Sequence, residues 1–219
     1  MPNEVLEHHI TVPRTARYFV IGDPDRAADV WFVCHGYGQL AARFLDKFRT
    51  FMDAGRCLVA PEGLSRFYLS DSPAERRVGA SWMTREDRLH EIADYVKYLD
   101  AVHAAVVPRA GVRRVAALGF SQGAATASRW AGLGTSRLDD LVLWGGELPP
   151  DLDLALAAER LRKMRVTLVA GTGDGFITSK VLSGIEQRLE EHAVPYRAVI
   201  FEGGHEIDAA VLQRLAGGS

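Results

Sequence analysis

The sequence predicts an α/β fold, with a mostly parallel central sheet flanked by helices. Three observations predict it. Short apolar runs alternate with segments of helical period along the chain. The apolar runs are continuous rather than alternating, which suits strands covered on both faces. Four of them are followed directly by glycine-rich stretches carrying Ser, Asp or His, and sites in such sheets lie at the carboxyl ends of strands.

The elements follow in order. Residues 10–12 and 16–21 have the composition of an N-terminal antiparallel hairpin. Strands are expected at 30–34, 57–60, 115–118, 141–144, 166–170 and 197–201. The clearest helix starts near Thr84 and carries Leu89, Ile92, Val96 and Leu99 at three- and four-residue spacing, continuing to Val102 or His103. Thr84 and Asp87 are spaced as a capping box, and Pro108 and Gly111 mark the end. Further helices are expected at about 40–54, 122–132, 178–192 and 206–216. No repeat or linker interrupts this alternation, so residues 1–219 are expected to form one domain.

Composition bounds the partners. The chain is 47% hydrophobic and 25% charged, enough to bury a core and keep a hydrated surface. A formal net charge of −2 gives no pull toward nucleic acid or anionic lipid. The basic cluster Arg160, Arg162, Lys163 and Arg165 is expected to be one solvated helix face. No apolar run approaches the ~20 residues of a membrane span, and the polar N-terminus has no signal-peptide core, so the expected location is cytoplasmic. Cys34 and Cys57 fall at the end of one strand and the start of the next. In parallel neighbours they would lie toward opposite edges of the sheet, unable to bridge, as buried reduced thiols.

The most informative stretch is Gly119-Phe120-Ser121-Gln122-Gly123, a G-x-S-x-G motif between an apolar strand and a helix of small residues. In that context the serine sits on a sharp turn with its hydroxyl held out at the sheet edge. A helix N-cap serine is the plainer alternative. Three other strand ends carry matching chemistry: His35-Gly36-Tyr37-Gly38-Gln39, Asp174 within Gly171–Gly175, and His205 within 202–206. A serine hydroxyl needs a base to become a nucleophile. An imidazole, titrating near pH ~6–7, can take that proton. A buried carboxylate can hold the right tautomer and stabilise the imidazolium. The catalytic assignment is therefore Ser121, Asp174 and His205. The backbone N–H groups of Tyr37 and Gln122 are assigned to the oxyanion hole.

On these residues the chain resembles α/β-hydrolases of the phospholipase/carboxylesterase group, which includes acyl-protein thioesterases. The resemblance runs from the His35-Gly36 loop to the Gly204-His205 loop. It implies an eight-strand type of sheet, a Ser–Asp–His triad, and ester or thioester hydrolysis without cofactor or metal. Two features depart from the group. Gln39 stands where an acidic residue is common. Residues 61–82 replace a proline-rich segment with a Trp-aromatic-Asp sequence. The segment 62–83 is long for a connector and holds several aromatics. It is expected to cover or line the acyl pocket, with Phe67, Tyr68, Trp82 and Phe176 as pocket residues. The alternative is a surface loop pinned by its aromatics.

The remaining histidines and acids stand at other kinds of position. His8 and His9 lie in a tail expected to fray, and His90, His103 and His192 sit on helical segments. His35 is expected to be a structural hydrogen-bonder. Glu147 also follows a strand and is the alternative acid; Glu202 and Glu206 are too near His205 in sequence to orient it easily. Gly171-x-Gly173 lacks the third glycine of a dinucleotide fingerprint, with Phe176 in its place. His205-Glu206 lacks the second histidine of a zinc helix, since Ala209 stands there. The expected function is hydrolysis of small to medium acyl esters or thioesters through a Ser121 acyl-enzyme. Acyl transfer or peptide hydrolysis on the same triad, or a non-catalytic binding scaffold, are the alternatives. The oligomeric state is not legible.

Overall fold

The protein is described by a computed structural model covering residues 4–53, 55–70, 72, 76–107 and 111–216. Its strands are β1 (Tyr18–Ile21), β2 (Asp29–Cys34), β3 (Arg56–Pro61), β4 (Ser65–Tyr68), β5 (Val78–Ser81), β6 (Arg114–Phe120), β7 (Asp140–Trp144), β8 (Arg165–Gly171) and β9 (Tyr196–Phe201). Its helices are α1 (Ala41–Leu45), α2 (Arg88–Val106), α3 (Gln122–Leu133), α4 (Leu154–Leu161), α5 (Ser179–Glu191) and α6 (Ala209–Ala216), with a 3-10 run at Asp46–Phe51 after α1. Seven strands form the main sheet in the order β1-β3-β2-β6-β7-β8-β9. All neighbours are parallel except β1, which is antiparallel to β3.

The continuous apolar strands are two-sided. Val30, Phe32 and Cys34 of β2 face one core, with Leu99 of α2 and Trp130 of α3. Trp31 and Val33 face the other, with Phe44 of α1, Phe48 and Leu212 of α6. The period of two sends alternate side chains to opposite faces, and both faces are covered. Each fully buried Val, Leu or Phe contributes roughly 1.5–3 kcal/mol. Both sides of the sheet thus fix its plane and hold its carboxyl edge in place.

All six parallel strands lie where the apolar runs predict them; several other expectations need correction. The N-terminal hairpin does not form. Residues 10–12 are not a strand, and β1 pairs with β3 instead. Pro13 lacks the N–H that a ladder needs, whereas β3 offers a buried edge. The main sheet has seven strands rather than eight among the described residues. Helix α2 starts at Arg88, not Thr84. Asp87 takes a left-handed turn at φ 48°, and the Thr84 N–H donates to the Glu91 carboxylate at 2.6 Å, so the expected box does not form. Pro108, expected to mark the end of that helix, lies outside the described residues.

Helix α4 and the β4–β5 pair were not anticipated. The basic cluster is not one solvated face. Arg160 of α4 donates to the carbonyls of Ala131 and Ser136, and Arg165 lies in β8 paired with Asp140. The two cysteines are free and buried, as expected. Cys57 pairs in register with Val30, four residues before Cys34, which separates the thiols by about 13 Å at the rise of a strand. Burial pushes the Cys34 thiol up to about 12 and the Cys57 thiol up to about 11, so neither is a nucleophile.

Candidate active site

Ser121 stands between β6 and α3 at φ 55° and ψ −120°, a backbone conformation that L-residues rarely adopt. Such strain persists only where the surroundings over-determine it. Two glycines make the turn feasible. A Cβ on Gly119 would fall on the Gly123 carbonyl, and one on Gly123 would fall on the Cys34 carbonyl of β2. The turn is therefore pressed between its own helix and the neighbouring strand. The Ser121 N–H donates to Trp144 O at 2.9 Å, which ties the elbow to β7.

His205 and Asp174 come together from the loops after β9 and β8. Nδ1 of His205 lies 2.9 Å from Oδ2 of Asp174. The other carboxylate oxygen accepts from the N–H groups of Phe176 at 2.8 Å and Ile177 at 3.0 Å. Burial alone would raise the Asp174 carboxyl. The His205 hydrogen bond and the Ile177 and Phe176 N–H groups outweigh it, and its pKa is lowered. Asp174 thus stays an anion that accepts from Nδ1 and leaves Nε2 of His205 as the basic nitrogen. Glu147, the alternative acid, is exposed and makes no bond to His205.

The imidazole is flanked by Phe120, centroid 4.8 Å away, and Phe176, 4.7 Å away. Gly145, which the sequence reading passed over, closes the gap between the partners. It sits at φ 54°, and a Cβ there would lie 3.2 Å from both Asp174 Oδ2 and His205 Nδ1. The direct Ser121–His205 hydrogen bond is not formed in this structure, and the Ser121 hydroxyl has no partner among the described residues. Catalytic hydrogen bonds of unliganded enzymes are often completed only with substrate.

The two amides assigned to the oxyanion hole are both unspent. Among the described residues neither the Tyr37 nor the Gln122 N–H donates a hydrogen bond, although both flank the elbow. A Cβ on the adjoining Gly36 would lie 3.2 Å from Ser121 Cβ, so the loop after β2 packs directly on the Ser121 turn. His35 supports this loop as a structural residue. It is fully buried, donates from Nδ1 to Gly36 O at 2.8 Å and accepts at Nε2 from the Gly63 N–H at 2.9 Å. Burial lowers its pKa, against the raising effect of the Gly36 hydrogen bond, which keeps it neutral in this role.

The segment 62–83 is an antiparallel pair rather than a loop. Strands β4 and β5 join in register from Ser65–Ser81 to Tyr68–Val78. The pair docks on the loop after β2 through Gly38 N–H to Ala80 O at 2.9 Å and Ala80 N–H to Gln39 O at 3.2 Å. The tip of this segment, at 71 and 73–75, lies outside the described residues. The Gln122 side chain locks the same segment to the elbow. Its amide donates to Met83 O at 2.9 Å and accepts from the Trp82 N–H at 3.2 Å.

Trp82 needs correction as a pocket residue. It is 1% exposed, stacks on His35 and donates from Nε1 to His35 O at 2.8 Å, so it is a core strut. Its indole fills the space beneath the oxyanion loop and has no free face to offer. Phe67 stands 5.1 Å from the Tyr37 ring, and Phe176 stands beside His205; both adjoin the site. Tyr68 points the other way from Phe67 along β4 and is exposed, and it makes no ring contact with the site residues. The turn-rich Asp71-Ser72-Pro73 between two short runs is the signal that could have predicted the β4–β5 pair. Nothing local announces the docking of Gln122.

Comparisons with known proteins agree with this fold. The chain shares its fold with the acyl-protein thioesterase 2 of Zea mays, with a TM-score of 0.73 at 17% identity, covering 93% of this chain and 97% of that one. A Mesorhizobium loti carboxylesterase gives a TM-score of 0.69 at 20% identity, covering 93% and 95%. A Bacillus cereus carboxylesterase gives 0.68 at 17%, covering 93% and 92%. No curated protein matches the chain in sequence. The sequence profile of the dienelactone hydrolase family matches residues 24–206, from before β2 to beyond His205, and the chain belongs to that family.

Proposed function

We propose that the chain is a serine hydrolase that cleaves ester or thioester bonds of small to medium acyl substrates through an acyl-enzyme on Ser121. The observation that carries this reading is the 2.9 Å His205–Asp174 pair beside a serine on a strained elbow with two unspent amides. Family membership supports it, since a dienelactone is itself a cyclic ester. The carboxylesterase and thioesterase fold relatives support it in the same direction.

In this reading Ser121 Oγ attacks the acyl carbonyl while its proton passes to His205 Nε2. The carbonyl oxygen takes up negative charge and accepts from the Tyr37 and Gln122 N–H groups. One such donor contributes ~3 kcal/mol of transition-state stabilisation. His205 returns the proton to the leaving alcohol or thiol as the carbon–oxygen or carbon–sulfur bond breaks. Water then repeats the sequence on the acyl-enzyme, releasing the acid and restoring Ser121. The β4–β5 pair braces the oxyanion loop, and Tyr37, Phe67 and Phe176 form an aromatic rim suited to short acyl chains. Residues 1–219 act as one domain in this proposal.

The test is intact-mass analysis after fluorophosphonate treatment of the wild type and Ser121→Ala, followed by a panel of p-nitrophenyl esters and acyl thioesters. One adduct on the wild type, absent from the variant, with hydrolysis of the short esters, is the expected result. An unlabelled, folded wild type would overturn it in favour of a binding scaffold. Acyl products in place of free acid, when an alcohol acceptor is added, would reassign the reaction to transfer.

A further inference from the structure

We propose that His9, Asp87 and His90 form a binding site for a divalent transition-metal ion of the zinc class, remote in sequence from the triad. Glu7 and His9 lie on the segment before β1, and Asp87 and His90 lie at the start of α2. The tail expected to fray is laid against this helix. His90 Nδ1 is 2.6 Å from Asp87 Oδ1, and His9 Nε2 is 3.4 Å from the same oxygen. His9 Nε2 is also 3.1 Å from Glu7 Oε1. The two imidazoles stack with centroids 4.1 Å apart. One ligand atom from each of His9, Asp87 and His90 falls within 4.8 Å of the others.

The spacing suits a metal centre. With bonds of about 2.0–2.1 Å, the ligand atoms of a tetrahedral zinc site stand about 3.3 Å apart. The His9–Asp87 separation is already close to that edge. The His90–Asp87 contact must open, and it is an exposed hydrogen bond that an ion would replace with two stronger bonds. Two imidazoles and one carboxylate, with water in the fourth position, make an ordinary donor set for such an ion. That donor set suits zinc, nickel or copper better than magnesium or calcium, which prefer oxygen alone. The thiols that would compete are buried in the sheet. The cluster opens to solvent at a cleft between the N-terminal segment and α2, with Asp94 and Lys97 farther along it.

Asp87 holds its ligand position by a left-handed backbone, which Asp and Asn tolerate better than most residues. An ion here would clip residues 7–9 to α2. Without it, those residues are held by exposed ion pairs that contribute little, about 0–1 kcal/mol each. The N-terminal segment then continues to the Arg17–Glu62 pair that flanks the loop after β3.

The test is isothermal titration of the full, tag-free chain with Zn2+, Mg2+ and Ca2+, with a thermal midpoint recorded alongside. The expected result is one saturable Zn2+ per chain, a raised midpoint, and no comparable heat from Mg2+ or Ca2+. His9→Ala, His90→Ala and Asp87→Asn should each weaken Zn2+ binding by roughly tenfold or more. Circular dichroism checks that the variants fold; each changes an exposed side chain, and Asn keeps the left-handed turn. No saturable Zn2+ binding by the wild type, wild-type affinity in both histidine variants, or equal affinity for Mg2+ would overturn the proposal.

Discussion

Asp174 and Asp100 are both carboxylates gathered into networks of hydrogen bonds, yet the two regions are built on opposite principles. At Asp100 every group is matched. Its oxygens accept from Trp130 Nε1 at 2.8 Å, from the N–H and hydroxyl of Thr135, both at 2.8 Å, and from the N–H and hydroxyl of Ser136. That knot joins α2 to the turn after α3. Around Asp174 the carboxylate is matched as well, but its neighbourhood is left unfinished. Among the described residues the Ser121 hydroxyl and the Tyr37 and Gln122 amides lack partners, and Ser121 holds a strained backbone. Matched groups stabilise a fold; unmatched, pre-oriented groups wait for a substrate. In the proposed mechanism the same residue type thus serves stability in one region and chemistry in the other.

This contrast is open to direct attack. The largest effect is expected from Ser121→Ala, which should lower kcat by about 10^6-fold while the chain keeps its thermal midpoint. Asp174→Asn should follow with a loss of about 10^4-fold, because His205 is left in the wrong tautomer. If Glu147→Gln lost activity instead while Asp174→Asn kept it, the acid would be reassigned.

Asp100→Ala should reverse the pattern. It should cost about 2–3 kcal/mol of stability in a denaturant titration, with kcat unchanged in the folded fraction, because Trp130 and Ser136 lose a charged acceptor. The hydrogen bonds from Ser136, Thr135 and Trp130 outweigh the raising effect of burial and hold the Asp100 carboxyl down at about 2. Its folded pKa lies below the unfolded value, so its contribution is complete above the ordinary carboxyl range. That contribution is lost as pH falls toward about 2. Asp100→Asn should flatten that part of an acid-unfolding curve, and an unchanged curve would remove Asp100 from its cause.

Gln122→Ala tests the bracing of the elbow. The backbone amide survives, so a loss of about tenfold in kcat is expected, against a far larger loss at Ser121. The smallest effect is the most pointed. Ser121→Gly should be inactive yet more stable than Ser121→Ala by about 0.5–1 kcal/mol, since glycine adopts positive φ freely. Equal stability of the two variants would mean the elbow stores no strain.

Much of the candidate site was legible because Ser121, Asp174 and His205 each follow an apolar strand. The runs before Ser121, Asp174 and His205 are continuous, and a parallel sheet collects their ends at one edge. What was not legible depends on contacts across the chain. Trp82 reads as a pocket aromatic until His35 is found stacked against it, 47 residues earlier. The Gln122 side chain reads as a helix surface until Met83 receives it. Residues 10–12 read as a strand because local composition cannot say that β3 prefers β1.

By itself the sequence determined the alternation of strand and helix, the Gly119–Gly123 turn between strand and helix, and the order in which Ser121, Asp174 and His205 follow one another. These are local properties: periodicity, glycine placement and side-chain chemistry act over a few residues. Only the tertiary structure decided which acid meets His205, which amides stay unspent, and which aromatics are struts rather than walls. It also gathered His9, Asp87 and His90 into one cluster from segments nearly eighty residues apart. Those outcomes turn on separations of a few ångströms between distant segments, and hydrogen bonding and burial become definite only once the sheet and its covering helices have packed.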